Sequence, residues 1–150
     1  MSYRVGDWFA VPLRETGFGV GLVARAHHDG VLLGYFFGPK RDDVPLLADL
    51  ASLTPNEAVT VRRFGHLALK RGSWPNLGQA AGWKPEAWPI PVFGRYEELT
   101  GRAFKVMYDA NDPNRLIRED ATSREEADQL PRDALLGAGA VEIVLTKLLG

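Results

Sequence analysis

The chain has 150 residues, of which 45% are hydrophobic and 25% charged, and its formal net charge is −1 at pH 7. These values are typical of one soluble globular domain spanning residues 1–150, which is large enough to fold without a metal or a disulfide. The sequence has no cysteine, which excludes disulfides, zinc–thiolate sites, iron–sulfur clusters and cysteine nucleophiles.

The amino-terminal residues MSYRVGDWFAVPL lack the basic start and long apolar core of a secretory signal. No stretch approaches the roughly 18 uninterrupted apolar residues of a membrane span. We therefore expect a cytoplasmic protein with no membrane partner.

Three strands joined by short turns are predicted at the amino-terminal end. Apolar residues alternate along residues 5–13, 18–24 and 31–37, with turns at residues 15–17 and 27–30 between them. Both faces of the first strand are apolar, which is typical of a strand that is covered on both sides. The pattern indicates an antiparallel meander.

The glycine-rich stretch GFGVG, residues 17–21, looks at first like a phosphate-binding loop. A dinucleotide fingerprint requires a helix directly after the glycines, and here the following residues alternate like a strand. We therefore predict that Gly19 and Gly21 lie on one face of the second strand. Glycine at such positions lets an aromatic ring or a neighbouring backbone come close, or lets the sheet coil sharply.

The middle of the chain is less regular. In chain order we predict a short helical turn, a fourth strand, a hook that carries Trp74, a Gly- and Pro-rich loop across the sheet, and two further strands. These elements are placed at residues 46–53, 58–64, 66–78, 78–91, 90–96 and 104–108.

Towards the carboxyl end, Ser123 is placed to cap a short helix over residues 123–130, with glutamates in its first turn. One apolar helical face is then formed by Val141, Val144, Leu145 and Leu148. A strand over residues 141–145 is the alternative. The fold class predicted is α+β, a curved and mainly antiparallel sheet of about six strands with a C-terminal helix packed on it.

Catalytic and metal-binding patterns are weak. In an extended chain, adjacent residues point in opposite directions, so His27, His28 and Asp29 predict a solvated turn and no metal site. No spacing ties His66 to that turn. No serine lies in a G-x-S-x-G elbow, and nothing singles out a pair of catalytic carboxylates. The sequence predicts no enzyme and no cofactor.

Trp74, Trp83 and Trp88 lie close together among glycines and prolines. One interpretation is an aromatic platform for a sugar or a peptide. The other, which we favour, is that the three indoles cover one open face of the sheet, because a sheet with few helices needs such a cover.

Residues 109–133 hold four basic and eight acidic side chains. An acidic segment argues against nucleic acid as a direct partner. It is either solvated surface or a negative patch that steers a basic protein towards it. The candidate partner-contacting residues are Asp109, Asp112, Glu119, Asp120, Glu125, Trp74 and Trp83.

Three segments, GDWFAVPL (6–13), GFGVGLVAR (17–25) and LKRGSWPNLG (69–78), resemble in order and spacing the Immunity protein 26 family of bacterial polymorphic-toxin systems. The resemblance covers roughly residues 5–95. The matching positions are Gly6, Asp7, Phe9, Ala10, Pro12, Leu13, Gly19, Leu69, Lys70, Gly72, Trp74, Pro75 and Gly78.

The resemblance implies a small cytosolic protein that binds and blocks a toxin made alongside it, without turnover or cofactor. A nuclease is one toxin activity that an acidic contact segment would suit. The alternative is a small-ligand or carbohydrate-binding module built around the three tryptophans, and an enzyme of unrecognised type is a third candidate. The oligomeric state is left open.

Overall fold

Nine strands form two sheets in the computed structural model, which describes residues 2–150. Sheet A has the strand order β5-β1-β2-β3-β4-β9, and sheet B has the order β6-β7-β8. The strands are β1 (Asp7–Pro12), β2 (Phe18–Ala26), β3 (Val31–Arg41), β4 (Thr60–Gly65), β5 (Asn76–Gln79), β6 (Phe93–Glu97), β7 (Arg102–Asp109), β8 (Asp112–Thr122) and β9 (Leu135–Leu136). The helices are α1 (Leu67–Arg71), α2 (Arg124–Asp128) and α3 (Ala138–Leu149), with 3-10 turns at Leu47–Leu50, Pro55–Glu57 and Pro85–Ala87.

The amino-terminal meander is confirmed. β1, β2, β3 and β4 pair antiparallel in sequence order, and only β9 joins sheet A in parallel. The turn before β3 ends at Gly30, whose φ of 89° suits glycine. β2 continues as a strand through Gly19 and Gly21 to Ala26, so no helix follows the glycines.

Sheet A is covered on both faces, as the apolar residues on both sides of β1 predict. Side chains of one face pack with α1 and α3 in a first core: Phe9, Val11, Leu13, Val23, Leu32, Phe36, Phe64, Ala68, Leu69, Trp74, Val141 and Leu145. Those of the other face pack with sheet B in a second core: Trp8, Val20, Leu22, Ala24, Leu33, Tyr35, Phe37, Leu50, Trp88, Phe93 and Val106. Sheet A is therefore the middle of three layers.

The C-terminal helix is confirmed. α3 buries Val141 and Leu145 against the first core, so the strand alternative for this segment is wrong. Its Glu142 carboxylate accepts a hydrogen bond from Trp74 Nε1 at 2.9 Å. This bond joins the last helix to the hook that follows α1.

Sheet B differs from the sequence-based expectation. Residues 112–122 form the 11-residue strand β8, in a charged segment for which no strand is predicted. β8 pairs with β7 along most of its length, and this pairing satisfies its backbone hydrogen-bonding groups although its sequence has no apolar alternation. The short helix after it is confirmed as α2, capped by Ser123 Oγ, which accepts from the Glu126 amide at 3.1 Å.

A buried arginine connects sheet A to the loops around it. The Arg25 guanidinium on β2 donates to the backbone oxygens of Ala24 (2.6 Å), Ala110 (2.9 Å), Trp88 (3.1 Å) and Pro85 (3.1 Å). The turn between β7 and β8 and the Pro85–Trp88 segment are thereby held against the same strand.

A second polar junction lies between the sheets. The Asp133 carboxylate accepts from the Tyr108 hydroxyl at 2.7 Å and from Arg63 Nη2 at 3.3 Å, and it lies 3.5 Å from Arg95 Nη1. Arg63 belongs to β4 of sheet A, whereas Tyr108 and Arg95 belong to sheet B. One carboxylate therefore joins both sheets.

Candidate functional site

The predicted acidic contact residues lie on sheet B and α2. Asp109 ends β7, and Asp112, Glu119 and Asp120 lie on β8. Glu125 is exposed in the first turn of α2. The structure thus places four of the five acidic residues on the edge strand β8 and on the short helix α2, and Asp109 at the end of the neighbouring β7.

Most of these carboxylates already have cationic neighbours. The ion pairs are Arg95–Glu119 (2.6 Å), Arg118–Asp120 (2.7 Å), Lys105–Glu126 (3.0 Å), Arg124–Asp128 (3.6 Å) and Arg115–Asp109 (3.8 Å). Asp112 lies 3.8 Å from the imidazole of His27, which is charged only when protonated. Within residues 2–150, Glu125 has no ion-pair partner. The negative potential of the segment is therefore weaker than its count of acids suggests, because some of these cations come from outside it.

The pKa shifts follow from these pairs. The pKa of Arg95 is raised mainly by its hydrogen bond to Glu119, and the pKa of Arg118 is raised by its hydrogen bond to Asp120. The pKa of Glu126 is lowered by hydrogen bonds from the Thr122 hydroxyl and from Lys105. Each shift favours the charged form of its group, so positive and negative side chains alternate on this surface at neutral pH.

Two exposed aliphatic residues lie among these charged side chains on β8. Leu116 and Ile117 are 50% and 56% exposed. The register with β7 shifts at this point, where Arg118 lies opposite Met107 and Leu116 lies opposite Tyr108. Ile117 is therefore an extra residue in β8, as in a β-bulge, and bulges commonly redirect side chains at sheet edges. Two adjacent aliphatic residues between charged ones are the sequence signal that could have identified the pair.

The three tryptophans do not form one surface. Trp74 has no exposed area and stacks on Phe9 in the first core, with ring centroids 5.7 Å apart. Trp88 belongs to the second core, on the opposite face of sheet A, and Trp83 packs beside it over Gly6. The expectation that the indoles cover a single face was wrong, because the hook and the later loop run to opposite sides of the sheet.

The histidine turn differs from the geometry expected of an extended chain. The rings of His27 and His28 lie side by side, with centroids 4.1 Å apart and planes tilted by 34°. The expectation that they point in opposite directions was wrong because the chain bends here: the Gly30 amide donates to the His27 carbonyl oxygen at 2.9 Å.

A cavity of about 530 Å³ lies beside this turn, lined by Ser2, Tyr3, Ala26, His27, His28, His66 and Lys70. All three histidines of the chain therefore line one cavity, although no sequence spacing connects His66 to the other two. His66 is held by a 2.7 Å hydrogen bond between its Nδ1 and the Tyr3 hydroxyl. The long-range pairing of β3 with β4 brings these residues together.

Among the helices of residues 2–150, none has the length and apolar character needed to cross a membrane.

The model of the Immunity protein 26 family matches residues 4–105, which confirms the resemblance carried by the amino-terminal motifs. No curated protein and no solved structure matches the chain. The matched region covers β1 to β6 and ends within β7. β8, α2, β9 and α3 follow after it.

Proposed function

The chain belongs to the Immunity protein 26 family, and we propose on that basis that it binds a cognate bacterial toxin domain and blocks the toxin's activity without any turnover of its own. The family match is the observation that carries this proposal. It spans most of the chain, including both outer strands of the amino-terminal meander.

We place the toxin contact on the outer surface of β8 and α2, outside the family match. Recognition of one particular toxin requires a surface that differs between immunity proteins. The matched motifs, by contrast, supply core residues such as Phe9 and Trp74. Leu116 and Ile117 provide exposed apolar anchors, and the charges around them form a polar rim, the arrangement found in protein interfaces. Trp83 is partly exposed and remains a separate candidate contact, because it packs over Gly6 inside the family match and not on β8 or α2; Trp74 is buried and is no longer a candidate.

The toxin domain is proposed to be basic, as many nucleases are, because unpaired Glu125 and the incompletely buried carboxylates of β8 face outwards. A positively charged domain would be drawn towards them, and its anionic substrate would be excluded from the covered surface.

Co-expression tests the aliphatic anchors. The toxin domain encoded beside this chain is expressed with the wild-type protein, with the Leu116→Glu/Ile117→Lys double variant, or with Leu46→Lys, which changes an exposed leucine in another segment. We expect the double variant to lose both growth protection and co-purification of the toxin, and Leu46→Lys to retain both. Full protection by a folded double variant would exclude this surface. Failure of the wild-type chain to bind or protect would exclude the function.

Charge reversal tests the polarity of the partner. Glu125→Lys changes an exposed acid that holds no ion pair, whereas reversing Glu119 or Asp120 also breaks contacts within the fold. We expect slower association with the toxin and a weaker dependence of that rate on salt, because steering between opposite charges is screened by ions. Asp43→Lys, in a distant exposed loop, is the matched control. Equal association rates for Glu125→Lys and Asp43→Lys would contradict the proposal that the toxin presents a basic surface to this chain.

A further inference from the structure

We propose that the turn between β2 and β3 binds one transition-metal ion, of the Zn²⁺ or Ni²⁺ type, through His27, His28 and Asp29. Each of the three side chains offers one ligand atom, and these atoms lie within 4.8 Å of one another. This site does not depend on toxin binding; its three ligands lie outside β8 and α2, and only the outer carboxylate Asp112 lies at the start of β8.

The bend of the turn brings the ligands to one side of the chain. The His27 amide donates to the Val31 carbonyl oxygen at 2.8 Å, and Gly30 follows with a positive φ. His28 Nε2 lies 3.4 Å from Asp29 Oδ1, and His27 Nδ1 lies 3.7 Å from Asp29 Oδ2. Ligand atoms on one tetrahedral Zn²⁺ lie about 3.3 Å apart when each bond is about 2.0 Å. His28 and Asp29 are exposed, so their side chains are free to rotate and bring the ligand atoms to this separation.

Asp112, which belongs to sheet B, faces the ring nitrogen of His27 that does not bind the metal. The Asp29 amide donates to His27 Nδ1 at 3.1 Å, which places the lone pair on Nδ1 and the proton on Nε2. Nε2 in turn faces Asp112 Oδ2 at 3.8 Å, at the start of β8. A metal that replaces the amide at Nδ1 would complete a carboxylate–histidine–metal arrangement, in which the outer carboxylate orients the ring and raises its basicity.

The donor set selects the class of metal. Two imidazole nitrogens and one carboxylate suit Zn²⁺, Ni²⁺ or Cu²⁺, whereas Mg²⁺ and Ca²⁺ prefer ligand sets made of oxygen. Three protein ligands at an exposed turn leave at least one coordination position for water. Because Asp112 belongs to sheet B and the turn belongs to sheet A, the bound metal would also strengthen the contact between the sheets.

Calorimetric titration of the tag-free chain with ZnCl₂ tests the site. We expect saturation at one equivalent and no binding of Mg²⁺. His28→Ala and Asp29→Asn should each weaken Zn²⁺ binding at least tenfold, and Asp112→Asn should weaken it roughly tenfold because it removes only the outer carboxylate. His66→Ala is the matched control, since it deletes a histidine of the same cavity that is not a ligand.

A spectroscopic measurement makes the assignment independent of affinity. The chain has three histidines, so the three imidazole Hε1 resonances can be followed separately. Zn²⁺ should shift those of His27 and His28 and leave that of His66 in place. Absence of saturable binding, retention of wild-type affinity in His28→Ala, or a shift confined to His66 would each overturn the proposal.

Discussion

Gly21 shows how one missing side chain organises the first core. A Cβ placed there would clash with Phe9 Cζ and would lie 3.0 Å from Phe36 Cδ1. The Phe9 ring instead passes over the glycine and stacks on Trp74, with planes only 6° apart. The glycine of this strand is therefore required for close approach of an aromatic ring, one of the two roles predicted for it.

Gly21→Ala should lower the free energy of unfolding by about 2 kcal/mol, because the added methyl forces the Phe9 ring out of its stack. Urea denaturation measures the change. Gly65→Ala is the control, since that strand glycine has no atom within 4 Å of the added Cβ. In a Phe9→Leu background, Gly21→Ala should lower the free energy of unfolding by less than it does in the wild type, because the ring that meets the added methyl is absent. Equal losses in the two glycine variants would refute the steric explanation.

At the scale of the elements, the end of β7 is held by residues that are distant in sequence. Tyr108, near the end of β7, donates its hydroxyl proton to Asp133, and the Arg63 guanidinium lies 4.2 Å from its ring centroid. Burial first, and then the hydrogen bond to Asp133, raise the pKa of Tyr108. Burial also raises the pKa of Tyr3 and of Tyr35. Folding therefore holds these phenols in the protonated form.

The raised pKa of Tyr108 predicts a loss of stability in alkali. Its contribution is complete below the unfolded pKa of about 10 and falls as the pH rises from there towards the higher folded value, because the unfolded chain releases the proton first. Urea denaturation at pH 8 and pH 10.5 measures the loss, with absorbance at 295 nm reporting tyrosinate. In Tyr108→Phe the loss should be smaller, though not zero, because Tyr3 and Tyr35 remain. Tyr96→Phe serves as control. An identical alkaline loss in Tyr108→Phe would contradict this role.

The molecule as a whole is held together by polar contacts between its layers as well as by its two cores. Arg25 is only 8% exposed and donates to backbone oxygens from two segments outside sheet A. Buried carbonyl groups need such donors, because an unpaired one loses its hydration without compensation. One side chain thereby fixes the Pro85–Trp88 segment and the β7–β8 turn relative to sheet A.

Arg25→Met should lower the free energy of unfolding by about 3 kcal/mol, since it leaves several buried carbonyl oxygens without donors. Hydrogen exchange should show faster exchange at residues 85–88 and 109–111 than in the wild type. Arg71→Met, at the exposed end of α1, should change stability by less than about 0.5 kcal/mol. A similarly small change for Arg25→Met would mean that water replaces the guanidinium without penalty.

Local patterns were sufficient for much of the fold. Alternation along residues 5–37 predicts β1 to β3, because a strand between two apolar layers needs apolar side chains on both faces. The i, i+3, i+4 spacing of Val141, Val144 and Leu145 predicts α3, and Ser123 predicts the start of α2. Two of the three family motifs, at residues 6–13 and 17–25, lie in this region of strong local signal, whereas the third, at residues 69–78, lies in the less regular middle of the chain.

Other features leave no apolar pattern in the local sequence. β8 forms by pairing with the neighbouring β7, and its charged residues give no periodic signal of their own. The indoles of Trp74 and Trp88 lie on opposite faces of sheet A because the intervening chain crosses the sheet edge at β5. The side chains that face Glu119 and Asp112 come from β6 (Arg95) and from the β2–β3 turn (His27). The periodicity of the sequence shows which face of a helix or strand is apolar. Which element packs on that face, and which side chain pairs with a given charge, depends on the packing of the whole chain.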